Sequence, residues 1–97
     1  MLLISKFKIR GHSMEPTLRE NDLILISNIP YLFKKPKIND IVAFKIKKEK
    51  TIFIKRIKRI ENSRYFVYGD NKNDSYDSGK FGEITEKQIM GKLIYKL

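Results

Sequence analysis

A chain of 97 residues suits one domain over 1–97, and 41% hydrophobic residues favour a packed core over a disordered segment. The lack of cysteine excludes disulfides, thiolate zinc sites and a cysteine nucleophile, and leaves the redox compartment open. A net charge of +10 suits anionic lipid headgroups or nucleic acid, or marks a solvated lysine-rich surface, but no basic-aromatic motif of a nucleic-acid module is present and none is expected as partner.

Taken in order, the chain reads as β-rich. Met1-Leu2-Leu3-Ile4 falls far short of the roughly 20 apolar residues of a spanning helix. It also lacks the apolar core of a secretory signal, so no transmembrane helix is predicted. Residues 6–9 alternate, with Phe7 and Ile9 on one face of a first strand. Asn21-Asp22 signals a turn, and the apolar run 23–26 suits a strand buried on both faces. Pro30 and Pro36 bracket a loop holding Tyr31, Leu32 and Phe33. This trio is expected to pack locally, the alternative being an exposed patch for membrane or substrate.

Residues 41–46 and 51–60 are the clearest strands, read as a hairpin across Lys47-Lys48-Glu49-Lys50. Residues 65–68 make another short strand. The polar stretch 69–82 is long for a connection, and loops of that length are usually functional. Thr85-Glu86-Lys87-Gln88 carries capping-box residues and predicts a single helical turn. A last strand follows Gly91, over 92–95. The expected fold is mostly β, a small antiparallel sheet or partly open barrel with at most one short helical turn.

The stretch with chemistry in it is Gly11-His12-Ser13-Met14-Glu15-Pro16-Thr17-Leu18. Gly11 allows close backbone approach, and Pro16 restricts Glu15, which would place Ser13 on a defined bend. A serine hydroxyl needs a partner base to act as a nucleophile. His12, the sole histidine, is a sequence neighbour, and neighbours in extended chain point to opposite faces; a surface role is expected. A lysine can serve if its pKa falls from about 10.4 towards neutrality, which burial brings about. Within 51–60, period two puts Phe53, Lys55 and Ile57 on one side. Lys55 is thus the lysine flanked by apolar neighbours, while Lys58 shares its face with Arg56 and Ile60, a solvated side. The repeat Ile54-Lys55-Arg56-Ile57-Lys58-Arg59-Ile60 means that a slip of one residue would exchange the faces.

The serine stretch resembles the serine box of the type I signal peptidases, Ser/Lys-dyad serine proteases linked to membranes. Phe53-Ile54-Lys55-Arg56-Ile57 is similar to that family's lysine strand. Gly69-Asp70-Asn71-Lys72-Asn73-Asp74-Ser75-Tyr76-Asp77-Ser78 resembles its Gly-Asp-Asn…Ser-x-Asp-Ser box. With Asn39-Asp40-Ile41-Val42, the matching segments follow the family's order along most of the chain. The resemblance implies the signal-peptidase catalytic-core fold. Since relatives are usually tethered by N-terminal helices, the chain is expected to be either a compact form without an N-terminal anchor or one whose anchor lies on another chain or outside this sequence. It implies Ser13 as nucleophile and Lys55 as general base, with neither cofactor nor metal. Ser75 would orient the Lys55 amine, and Asp77 and Ser78 would brace the loop. Gly69, Asp70 and Asn71 would form a structural turn, as Pro16 does near the nucleophile. Asp70, Asp74 and Asp77 are expected away from the amine, since a carboxylate there would raise its pKa.

Two departures stand out. Gly11 occupies the position, two before the nucleophile, at which some relatives add a serine hydroxyl to the oxyanion hole. Gly79 and Lys80 follow Asp77-Ser78 where the family commonly has the arginine of an Asp–Arg brace; Lys80 is the substitute cation, without the bidentate fork. The implied substrates are pre-proteins or leader peptides cut after a small residue and bound as extended strands. A membrane-associated or cytoplasmic location and peripheral contact with anionic membrane go with this reading. The nearest alternative is a compact protease dedicated to one precursor, such as the maturation protease of nickel superoxide dismutase. An inactive basic module that binds anionic lipid or nucleic acid is the alternative of another class, and a self-cleaving repressor domain ranks below both.

Overall fold

The computed structural model describes residues 3–46, 50–72 and 83–97. Among them the strands are β1 (Ile4–Lys8), β2 (Leu23–Ser27), β3 (Ile41–Lys45), β4 (Ile52–Glu61), β5 (Arg64–Tyr68), β6 (Ile84–Thr85) and β7 (Ile89–Lys96). They form one open antiparallel sheet in the order β1-β2-β7-β3-β4-β5-β6. The mostly β antiparallel architecture expected from the sequence is the one observed. No helix of the described residues is long and apolar enough to cross a membrane.

β3 is the strand buried on both faces. Ile41 and Ala43 join Ile9, Met14, Leu18, Ile24 and Ile26 in one apolar cluster. Val42 and Phe44 join Ile57, Tyr65, Val67 and Ile84 in a second. The sequence suited 23–26, and not β3, to this doubly buried role. There β2 buries Ile24 and Ile26, leaves Leu23 exposed and Leu25 half-buried. The difference is lateral position, because β3 has the long strands β4 and β7 beside it while β2 lies next to the sheet edge.

Side-chain alternation in β4 is broken once. Ile57 pairs with Val67 and Arg59 with Phe66, so Lys58 is the extra residue of a β-bulge. The bulge resets the pleat, and Ile60 packs against the second cluster with Phe53 and Ile57. The expected grouping of Ile60 with Lys58 and Arg56 on a solvated side is thereby corrected. Asn62 and Ser63 then turn the chain at φ 50° and 64°, the two-residue hairpin geometry that suits strand twist.

The turn at 85–88 forms as a 3₁₀ turn, Glu86–Gln88, with the Gln88 side chain accepting the Thr85 N–H at 2.8 Å. A second 3₁₀ turn, Ile29–Leu32, forms around Pro30 at the start of the proline-bracketed segment, where the sequence suggested only a loop. The local packing expected of the apolar trio holds for Tyr31, which packs on the second cluster. It fails for Leu32 and Phe33, which are exposed.

Candidate active site

Lys55 lies in β4 opposite Val42 of β3, between Phe53 and Ile57 on its own strand face. Only 3% of it is exposed. Val42 and Ile57 are fully buried, so period-two reasoning located a lysine within the apolar part of the strand.

The serine stretch folds back as a compact turn over 13–17. Glu15 N–H donates to the His12 carbonyl at 3.2 Å, and Leu18 N–H to that of Met14 at 2.9 Å. The Glu15–Pro16 peptide is cis. Met14 and Leu18 belong to the first apolar cluster, and Ser13, beside Met14 in the chain, is half-buried. Gly11 has φ +77°, and a Cβ there would meet nothing within 4 Å. The expectation of close backbone approach is corrected: glycine suits this position because the left-handed backbone disfavours a side chain. His12 Nδ1 lies 2.6 Å from Glu15 Oε2, and its Nε2 is 3.7 Å from Glu20 Oε1. With 53% of its side chain exposed, it is a surface histidine facing carboxylates.

Gly69-Asp70-Asn71 seats the serine turn. Asn71 N–H donates to the Ser13 carbonyl at 2.9 Å, and its side-chain amide to the His12 carbonyl at 3.0 Å. Asp70 receives Arg56 Nε at 2.9 Å and Nη2 at 2.8 Å, a bidentate pair, together with the Thr17 hydroxyl at 2.6 Å. Arg56 Nη1 also donates to the Asn39 carbonyl at 3.0 Å. Arg56 and Thr17 hold the Asp70 carboxyl below the ordinary carboxylate range, against the opposing effect of burial, and Asp70 in turn raises the Arg56 pKa. Both Asp70 oxygens are therefore engaged by the brace.

Sequence reasoning missed Arg56 and Thr17 as parts of this scaffold. The available signal was an arginine beside the strand lysine and an aspartate in the third motif, residues of opposite charge with no stated partner. Arg56 is not on a solvated face; its side chain is 21% exposed and Asp70's is 11%. Ser75, Asp77 and Ser78, and with them Asp74, Gly79 and Lys80, lie outside the described residues.

Ser13 and Lys55 line one cleft of ≈ 380 Å³. One wall is Phe7 to Met14 and the other Thr51 to Lys55. The first wall includes the end of β1, the outer strand of the sheet. Apolar side chains such as Phe7, Ile9 and Ile52 dominate the lining, with Lys8 and Arg10 bringing positive charge.

The antiparallel sheet is the kind of fold that the sequence resemblance implied, and it carries Ser13 and Lys55 on one cleft. The profile of the family described as signal peptidase, peptidase S26, matches residues 1–59 and 57–97. The chain belongs to this family. It is 28% identical to a probable signal peptidase I-2 of Synechocystis sp., over 87% of this chain and 58% of the relative. A signal peptidase I of Aquifex aeolicus is 38% identical over 81% of this chain and 34% of its own length. Signal peptidase I V of Bacillus subtilis is 26% identical over 88% of this chain and 80% of its length. The chain thus spans little more than half of the Synechocystis relative and about a third of the Aquifex one.

Proposed function

We propose that residues 1–97 form a catalytic domain of a serine endopeptidase, with Ser13 as nucleophile and Lys55 as its general base. The observation that carries this reading is a strand lysine only 3% exposed on the same cleft as Ser13. Burial favours the uncharged amine, the form able to accept a proton. Neutral Lys55 takes the Ser13 proton as Oγ attacks the peptide carbonyl. The Lys55 ammonium gives that proton to the departing amine as the tetrahedral intermediate collapses to an acyl-enzyme, and Lys55, neutral again, takes a proton from the water that releases the acyl group. The Ser13 N–H is the main oxyanion donor. By resemblance to the family, Ser75 would orient the amine and Asp77 and Ser78 would support the site; all three lie outside the described residues.

The substrate is a pre-protein or leader peptide, lying extended against the outer edge of β1 and cut after a small residue. An edge strand offers the main-chain donors and acceptors that such a peptide needs. The family membership supports this choice, and peripheral contact with an anionic membrane accompanies it.

Cleavage of a pre-protein carrying Ala-x-Ala by wild type, Ser13→Ala and Lys55→Ala tests the proposal. Wild-type cleavage, abolished in both variants with the fold intact, is expected. Cleavage retained by either variant removes the dyad. A folded wild-type chain without cleavage, together with steeply salt-dependent anion binding untouched by Ser13→Ala, would leave a basic binding module.

A further inference from the structure

The segment between β2 and β3 plays no part in that chemistry, yet it is built to a definite shape. Its ends are tied to one atom: Asp40 Oδ2 accepts the Tyr31 hydroxyl at 2.6 Å and the Lys37 N–H at 3.0 Å. Tyr31 packs on the second apolar cluster and Pro36 is buried. At the near end, Phe33 and Lys34 N–H groups both donate to the Pro30 carbonyl, at 3.3 and 3.2 Å. What the loop turns outward is Leu32 at 53% exposure, Phe33 at 81% and, just past Lys37, Ile38 at 53%. Lys34, Lys35 and Lys37 are exposed among them. No acidic residue occurs between Asp22 and Asp40.

An apolar tip ringed by lysines, on a loop pinned at both ends, has a chemistry that selects its partner. Charge of one sign disfavours a second copy of the same loop. Exposed apolar side chains interleaved with lysines, with no carboxylate among them, suit an apolar phase beneath a negative surface. We propose that this loop docks the protein on an anionic bilayer, with Leu32 and Phe33 entering the headgroup–acyl boundary and Lys34, Lys35 and Lys37 meeting lipid phosphates. This assigns a surface to the membrane contact named above, and it holds whether or not Ser13 and Lys55 form a dyad.

The test is flotation of the full chain with phosphatidylcholine vesicles with and without phosphatidylglycerol. Binding is expected only where phosphatidylglycerol is present. The double variant Leu32→Ser/Phe33→Ser should lose at least about tenfold in partitioning, as burial of two large apolar side chains requires. A lysine near such a surface is worth about fivefold, so Lys34→Glu/Lys35→Glu should cost about 25-fold or more. The matched reversal Lys45→Glu/Lys87→Glu, outside the loop, should cost much less. Equal loss in the two charge-reversed pairs would reduce the effect to net charge and overturn the assignment. So would unchanged binding of the serine variant, or no binding to the anionic vesicles. The chain lacks tryptophan, so Phe33→Trp adds a single reporter at an exposed position. Its emission should shift to the blue on anionic vesicles, and no shift also overturns the proposal. Ser13→Ala should float like the wild type, which separates failure of the docking surface from failure of the protease reading.

Discussion

Asp70 shows how one side chain can join separate parts of a site. It pairs with Arg56, 14 residues before it, and takes the hydroxyl of Thr17, 53 residues before it. The strand that carries Lys55 and the turn that carries Ser13 are thereby tied to the same carboxylate. Asp70→Asn is expected to destabilise the fold by about 1–3 kcal/mol at neutral pH, since it strips a charge-assisted pair from a poorly exposed arginine. Urea unfolding measures that difference. Its pH dependence has a definite sign. The folded-state pKa of Asp70 lies below an unfolded value of about 3.9, with the Arg56 hydrogen bonds as the largest cause. The contribution is therefore fully present above about pH 4 and is lost as pH falls through the folded-state pKa. The wild-type advantage over Asp70→Asn should narrow over that acid range; an advantage independent of pH would argue against the brace as its source. Ser13 and Lys55 were legible as site candidates because each is marked by its immediate neighbours, a glycine-bounded turn and an apolar alternation. Arg56 and Thr17 were not, because their roles depend on a partner brought near only by folding.

At the scale of elements, close approach of strands decides where glycine is needed. Gly91 in β7 sits against Ser27 of β2, and a Cβ there would come within 2.7 Å of Ser27 backbone atoms. The two nearest atoms are main-chain ones, which leaves little room for relief. Gly91→Ala is expected to cost about 1–3 kcal/mol or more by overpacking, read as a lower thermal midpoint. An unchanged midpoint would mean that β2 and β7 can part without penalty. The strands were legible to within a few residues from apolar alternation, although 92–95 proved to be the middle of a longer β7 and the two-residue β6 was not foreseen. The bulge at Lys58 escaped notice because the Ile-Lys-Arg repeat satisfies two registers equally well. Pairing with Val67 and Phe66 selects one of them.

Over the whole molecule, the sheet carries an apolar cluster on each face, and β3 contributes to both. Phe44 is fully buried and stacks on Phe53 with ring centroids 5.7 Å apart. Phe44→Ala should therefore cost about 3–5 kcal/mol, the range for a large aromatic removed from a packed site, and denaturant unfolding checks it. A loss below about 1 kcal/mol would mean that the second cluster collapses around the gap.

The amino-acid sequence by itself determined that this is an antiparallel β protein, which serine and lysine are the candidates for its chemistry, and which family it resembles. These features are written in neighbouring residues, through alternation, turn-forming types and motif order. Only the tertiary structure decided that Asp70 clamps the serine turn to the lysine strand, that β3 is the doubly buried strand, and that Leu32 and Phe33 face outward. Each of these depends on which distant segments lie side by side, and local preference carries no information about that.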